Sequence, residues 1–137
     1  MYLGLDVAKA TVELASEPAG VTGQFSTEPE GLAALVARCQ AQPITLIVLE
    51  ATGGYEAPVI AALATAGLPV AVVNPRQVRD FAKALGRLAK TDAIDATTLA
   101  LFGSRVRPSP RPLPDAATQE LQAVLLRRRQ LLDMLLA

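Results

Sequence analysis

Hydrophobic positions follow two patterns along the chain, short apolar runs and helical repeats, and their order predicts an α/β fold. Three short runs at the start are typical of an antiparallel meander, and continuous apolar runs further on are typical of parallel strands buried on both faces. The elements predicted up to residue 73 are, in order, strands at 2–7, 11–16 and 24–27, a helix at about 29–41, a strand at 44–49, a helix at about 57–66 and a strand at 69–73.

Capping signals mark the ends of these helices. Thr27 and Glu30 fit the capping-box pattern, and Asn74 followed by Pro predicts the start of a further helix. Gly67 and Gly86 stand where helices commonly end. In the helix that begins at Asn74, the residues expected to face inward are Val78, Phe81, Ala82 and Leu85.

The stretch 88–100 carries two acids at helical spacing. Thr91 is a good N-cap, and the apolar residues that follow it predict a helix. Asp92 and Asp95 would then leave one face of that helix about one turn apart. This arrangement is half of a metal site or, alternatively, a solvated first turn whose acids favour the positive end of the helix dipole.

The sequence changes character after Phe102. We predict one domain over 1–103, a basic Pro-rich linker over 104–114 that is extended, and the start of a helical or coiled-coil arm over 115–137. The arm has leucines on one side and the run Arg127–Arg129 within it. It reaches residue 137 without a cap, so we expect the chain to be a fragment that stops inside a longer helix.

The amino-acid composition excludes several kinds of catalytic and metal site. The chain has 137 residues, 51% of them hydrophobic, which suits one core plus an extension. It contains no His, so Ser-His and Cys-His relays and His-based zinc sites are excluded. Cys39 falls on an apolar helix face, and as the single Cys it has no partner for an internal disulfide. No apolar run is long enough for a membrane helix, and we expect a soluble cytoplasmic protein without a membrane partner.

Charge is zero overall but unevenly distributed. Residues 1–73 carry two basic and seven acidic side chains, and residues 74–137 carry eleven basic and six acidic ones. Such asymmetry favours a nucleic-acid partner for the second half, although a row of basic residues is more often only a solvated face. The candidate phosphate contacts are Arg76, Arg79, Lys83, Arg87, Lys90, Arg105 and Arg107.

Two further acids stand at the ends of predicted strands. Asp6 lies near the end of the first strand, where a strand-end turn Asp is an equal alternative, and Glu50 directly follows the buried strand 44–49. In the ribonuclease H-like fold this order of elements puts the first strand next to the fourth, which would bring both acids to Asp92 and Asp95. Clustered carboxylates need cations, and oxygen ligands select Mg²⁺ or Mn²⁺. Two such ions about 4 Å apart can act on a phosphodiester.

Five motifs together resemble the amino-terminal domain of the DEDD transposases of the insertion-sequence one-ten family, which are similar to the Piv invertases. The resemblance runs from about residue 2 to 103, and the helix beyond is similar to the family's arm. The motifs are LGLDVAK at 3–9, LEATGGYE at 49–56, VNP at 73–75, FAKALG at 81–86 and AKTDAIDA at 89–96. Each is weak alone, but all five in this order are specific.

The resemblance implies a RuvC-like, ribonuclease H-like domain whose metal-binding and catalytic tetrad is Asp6, Glu50, Asp92 and Asp95. It implies a DNA recombinase, in some members directed by a structured non-coding guide RNA. The arm implies a homo-oligomer, a dimer or a tetramer. Full-length members also carry a carboxy-terminal domain with a nucleophilic Ser, which is absent here, so the chain alone is expected to be inactive.

Two other functions are compatible with the residues. An actin-like ATPase or sugar kinase also begins with Gly-x-Asp, but its phosphate loop needs Gly and Ser or Thr where Val7, Ala8 and Lys9 stand here. A non-catalytic nucleic-acid-binding and assembly module would use the same acids structurally. Loss of metal binding on replacement of the acids would separate that module from the enzyme.

Overall fold

A five-stranded mixed sheet forms the centre of the computed structural model, which describes residues 1–86, 94–110 and 116–136. Its strands are β1 (Tyr2–Val7), β2 (Thr11–Glu17), β3 (Thr22–Ser26), β4 (Leu46–Glu50) and β5 (Val70–Val73). In the order β3-β2-β1-β4-β5, the first three pair antiparallel, whereas β4 is parallel to both β1 and β5. The predicted α/β class and the neighbouring first and fourth strands are confirmed.

Helices cover both faces of this sheet. They are α1 (Pro29–Gln40), α2 (Glu56–Thr65), α3 (Pro75–Ala84), α4 (Ala96–Val106) and α5 (Ala116–Leu136). On one face, Leu3 and Leu5 of β1 belong to a core cluster with residues of α1 and α2. On the other, Val48 of β4 belongs to a second cluster with residues of α3 and α4. Because side chains alternate along each strand, the sheet contributes residues to an apolar core on each of its faces.

The first core fixes the state of Cys39. Its side chain is fully buried between α1 and the sheet, and the thiol is free. Burial raises the pKa of this thiol to about 11, so it stays protonated at neutral pH. As predicted from its helical spacing, Cys39 is a core residue.

Helix α4 lies unusually close to β1. A Cβ on Gly4 would overlap the carbonyl oxygen of Ala96 and would stand 2.5 Å from the amide nitrogen of Ala100. Further along the helix, Gly103 lies against Tyr2 and Val48. Helix α4 therefore runs antiparallel to β1, with its amino end at the carboxyl end of the strand.

An aromatic contact joins α4 to α3. The Phe81 and Phe102 rings meet edge to face, with their centroids 5.4 Å apart and their planes at 90°. Val78 and Ala82 of α3 are buried on the same side, as predicted. Leu85, also predicted to face inward, is instead 49% exposed, because α3 ends at Ala84 and Leu85 is already its C-cap.

The capping signals had mixed outcomes. Asn74 Oδ1 accepts a hydrogen bond from the Arg76 amide at 2.8 Å, and Gly67 and Gly86 adopt positive φ after their helices, as predicted. The capping box at Thr27 does not form. The Thr27 hydroxyl instead donates to the Lys9 carbonyl at 2.8 Å. The N-cap of α1 is Glu28, which makes no side-chain hydrogen bond, and the helix begins at Pro29.

The linker begins later than predicted. Helix α4 continues to Val106, because Gly103 allows close packing against Val48 and keeps the last turn on the sheet. Residues 104–106, predicted as linker, are therefore helical, and 107–110 are without regular structure. Beyond them, α5 is a helix of 21 residues, and the assignment of this segment as an arm stays a prediction. None of the described helices combines the length and the apolar character needed to cross a lipid bilayer.

The close approach at Gly4 predicts a sharp cost for any side chain there. We expect Gly4→Ala to lower the free energy of unfolding by at least about 3 kcal/mol, because the new methyl group meets helix backbone that cannot move aside. Urea unfolding measures this. Gly23→Ala is the matched control, since its Cβ would meet only the Phe25 ring edge, and its expected cost is within about 1 kcal/mol. Equal costs for the two variants would contradict the proposed packing.

Candidate functional site

Asp6 and Glu50 stand side by side at the carboxyl end of the sheet. In the parallel register of β1 and β4, Leu5 is paired with Leu49, so the next residue of each strand is an acid. Parallel strands present their carboxyl ends at one edge, which is where α/β sheets commonly bind ligands. The adjacency expected for the first and fourth strands is thus observed.

Both acids lie on the face of the sheet that α4 covers. Gly4 and Val48, two residues before each acid, contact α4. Side chains two residues apart on a strand share a face, so Asp6 and Glu50 point to the same side. Both side chains are half-buried.

Asp95 joins this pair from the amino end of α4, but not as a helical residue. Its backbone is extended, with φ −102° and ψ 174°, and its Oδ1 accepts a hydrogen bond from the Thr98 amide at 2.8 Å. The predicted helix from Thr91 through Asp95 is therefore wrong at this residue, because the Asp95 carboxylate caps α4, which begins at Ala96. The expectation that Asp92 and Asp95 share a helix face involves Asp92, which lies outside the described residues.

Three of the predicted site residues, Asp92, Arg87 and Lys90, fall in 87–93 and lie outside the described residues. Across residues 1–86, 94–110 and 116–136, no three acids are grouped closely enough to hold a metal ion between them. The structure thus brings Asp6, Glu50 and Asp95 to one region, and the assignment of a four-acid set stays a prediction.

Electrostatics shows how closely these acids interact. Burial raises the pKa of Asp6, and the carboxylates of Glu13 and Asp95 raise it further. Burial also raises the pKa of Glu50, and Asp6 adds to the shift, whereas the Arg79 guanidinium opposes it. Among the described residues, the buried Glu50 Oε2 has no hydrogen-bond partner. The region therefore concentrates negative charge and offers a carboxylate oxygen that a cation could satisfy.

Glu13 is an acid that the sequence analysis missed. It lies directly opposite Asp6 in the antiparallel register of β1 and β2, and so shares its face of the sheet. Glu13 and Asp95 also line one open cavity of about 400 Å³ between β2, β3 and the start of α4. The predicted antiparallel strands 2–7 and 11–16 are joined by a short turn. Pairing their residues outward from that turn would have placed Glu13 opposite Asp6.

A hydrogen-bonded turn follows Glu50. Glu56 Oε2 accepts hydrogen bonds from the Thr52 amide, the Thr52 hydroxyl and the Gly54 amide at 3.1, 2.8 and 3.0 Å. Burial raises the pKa of Glu56, but these bonds and one from its own amide outweigh that effect, and the pKa is lowered overall. Gly53 and Gly54 have φ of 77° and 118°, which favour glycine. Tyr55, the N-cap of α2, is 48% exposed.

The described members of the predicted basic set lie on two helices, α3 and α4. Arg76, Arg79 and Lys83 follow one side of α3, and Arg79 acts on Glu50. Arg105 and Arg107 are exposed at the carboxyl end of α4. Since α4 runs antiparallel to β1, they lie about 15 Å along the helix from Asp95.

Comparisons with known proteins agree with this architecture. Among solved structures, that of Thermus thermophilus RuvC in complex with Holliday junction substrate superimposes with a TM-score of 0.51 at 20% identity, over 80% of this chain and 97% of RuvC. This likeness shows a shared RuvC fold, which is ribonuclease H-like. The mixed sheet and its flanking helices thus confirm the predicted fold class.

Sequence relatives extend the comparison. The pilin gene-inverting proteins of Moraxella bovis and Moraxella lacunata are 31% and 28% identical to this chain over 136 and 135 residues. Each alignment covers 94% of this chain but 42% of the relative, so the chain spans less than half the length of these proteins. The profile of a transposase family, the DEDD transposases of the insertion-sequence one-ten type, matches residues 3–137. With nearly its whole length matched, this chain belongs to the DEDD transposase family.

Proposed function

We propose that this chain is the acid-bearing domain of a recombinase that cuts and rejoins DNA phosphodiester bonds with divalent metal ions. The observation that carries the proposal is the meeting of Asp6 and Glu50 on one face, at the carboxyl ends of adjacent strands, within electrostatic range of Asp95. Family membership and the RuvC fold support the same reaction class.

The donor set fits a hard cation. Carboxylate oxygens are the ligands that Mg²⁺ and Mn²⁺ prefer, and the unpartnered, buried Glu50 Oε2 is such an oxygen. Asp6 and Glu50 would hold the metal, with Asp95 and Asp92 as the further members of the predicted set. Asp95 would join them only by moving closer, because no three of the described acids are grouped closely enough to hold an ion as they stand. When bound, divalent ions activate a water or hydroxyl and stabilise the leaving oxygen of a phosphodiester.

The other charged residues around the acids have separate tasks in this proposal. Arg79 offsets part of the negative charge near Glu50, and it lies on α3 between Arg76 and Lys83, which are exposed. We assign these three to the phosphate backbone of the nucleic acid, because a carboxylate cluster repels phosphate unless cations flank it. Asp95 uses one oxygen to cap α4, which fixes where the other oxygen stands.

The arm supplies the assembly surface in this proposal. Leucines on α5 are exposed, and an apolar groove of about 380 Å³ is lined by Val124, Arg127, Arg128, Leu131, Leu132 and Leu135. Val124 and Leu131 are one heptad apart, as are Arg128 and Leu135, which is the spacing of a coiled-coil seam. We propose that the occupant is the same helix of a second copy, as the family resemblance implies.

Metal binding tests the acid site. We expect Asp6→Asn and Glu50→Gln each to weaken Mn²⁺ binding by more than about 10-fold in calorimetry, because each removes an anionic ligand. Glu30→Gln is the control. Glu30 is exposed on α1, at the face of the sheet opposite the acids, and this variant should bind Mn²⁺ as the native chain does. If all three variants keep native affinity with the fold intact, the acids are structural, and the non-catalytic assembly module becomes the better explanation.

Stability against pH tests the raised pKa of Glu50. A carboxyl whose pKa is raised on folding binds its proton more tightly in the folded chain, so the metal-free chain should lose stability as pH rises above the ordinary value of 4.5. We expect Glu50→Gln to flatten this decline and to exceed the native chain in stability at neutral pH. Urea unfolding in EDTA at a series of pH values measures it. A decline that is unchanged in Glu50→Gln would show that another group causes it.

Arm-mediated assembly is tested by charge placed in the groove. Leu131→Glu should shift the chain toward monomer in sedimentation velocity, because a carboxylate cannot be buried in an apolar seam without a large cost. Met134→Glu is the matched control, since Met134 is 71% exposed on the same helix and does not line the groove. An equal mass for Leu131→Glu, Met134→Glu and the native chain would contradict this surface.

A further inference from the structure

Arg129 of α5 lies over the turn that follows Glu50. A Cβ built on Gly54 would stand 2.5 Å from Nη1 of Arg129, so the guanidinium occupies the space that a side chain at residue 54 would need. Gly54 has φ 118° and its amide is held by Glu56. The arm therefore carries a cation back to the edge of the sheet where Asp6 and Glu50 end their strands.

The course of α5 explains why this Arg, and not its neighbours, reaches the turn. Arg127 and Arg128 line the apolar groove together with leucines. Arg129 is about 100° further around the helix than Arg128, on the side of Leu126, the one residue between 123 and 136 that is half-buried. One side of α5 thus faces its own domain, while the groove faces away.

The guanidinium of Arg129 takes no part in the hydrogen bonds of the turn. The three donors that hold Glu56 Oε2 are the Thr52 amide, the Thr52 hydroxyl and the Gly54 amide. Within the described part of the chain, no carboxylate forms an ion pair with Arg129, and its side chain is exposed. The guanidinium therefore presents its donors to solvent beside an acid site that repels phosphate.

We propose that Arg129 binds a nucleic-acid phosphate at the turn 52–54, next to the acid site. Guanidinium groups bind phosphate oxygens through two parallel N–H donors, and a protein that approaches a polyanion with acids needs such contacts close by. The inference rests on the proposed function, because it takes DNA as the substrate of the acid site. It assigns to the arm a direct contact with that substrate, in addition to assembly.

Salt dependence of DNA binding tests this contact. For the full 137-residue chain and a synthetic four-way DNA junction, fluorescence anisotropy at several salt concentrations gives the slope of log affinity against log salt. Arg129→Gln should weaken binding severalfold and reduce the magnitude of that slope by about 1, the effect of one lost phosphate contact. Arg38→Gln, an exposed arginine on α1 at the opposite face of the sheet, is the control and should leave the slope unchanged.

A second variant separates charge from docking of the arm. Arg129→Lys keeps the positive charge and should restore the native salt slope. If Arg129 only packs on Gly54, the lysine would not restore the slope, because it lacks the guanidinium that makes that contact. The proposal is overturned if Arg129→Gln and Arg38→Gln change the slope equally, if neither changes it, or if Arg129→Lys fails to restore it. Absence of junction binding by the native chain would contradict both this inference and the proposed function, whereas native binding with an indifferent Arg129 would contradict the inference alone.

Discussion

The approach of α4 to β1 at Gly4 is the contact on which the rest of the site depends. The Ala96 carbonyl and the Ala100 amide lie where a side chain at residue 4 would be, so the helix backbone rests directly on the strand. That contact fixes the amino end of α4 at the carboxyl end of β1. Asp95, the residue that caps the helix, is thereby carried to Asp6. The missing Cβ at one strand position thus sets the place of an acid 91 residues further along the chain.

The same contact concentrates negative charge. Asp6 interacts electrostatically with Glu13, Asp95 and Glu50, and the positive amino end of α4 and the guanidinium of Arg79 offset only part of this charge, since the pKa of Asp6 and that of Glu50 remain raised. Such an arrangement costs stability when the acids are ionised without cations. Its presence at the edge where α/β sheets bind ligands is the physical ground for the proposed cation site.

Strand order is the part of this site that the sequence could predict. The apolar runs 2–7 and 44–49 and the acids that end them required only the ribonuclease H-like order of elements to bring Asp6 next to Glu50. The start of α4 could not be found in the same way, because Thr91 and Asp95 are both good N-caps and each precedes apolar residues at helical spacing. The packing of Ala96, Ala100 and Gly103 against β1 and β4 decides between them, and that packing depends on residues far away in the chain.

Contacts of the arm were beyond sequence reasoning for a related reason. Arg127, Arg128 and Arg129 are identical in type and adjacent, and only the path of α5 over the turn at Gly54 distinguishes them. Similarly, the sequence does not show how the described basic candidates are placed, which is along α3 and at the carboxyl end of α4. Arg105 lies about 15 Å along α4 from Asp95, close to the rise of four to five base pairs of duplex at roughly 3.4 Å each. A single phosphate beside Asp95 therefore cannot also lie beside Arg105, and a nucleic acid that reaches both ends of α4 must follow this helix for several nucleotides.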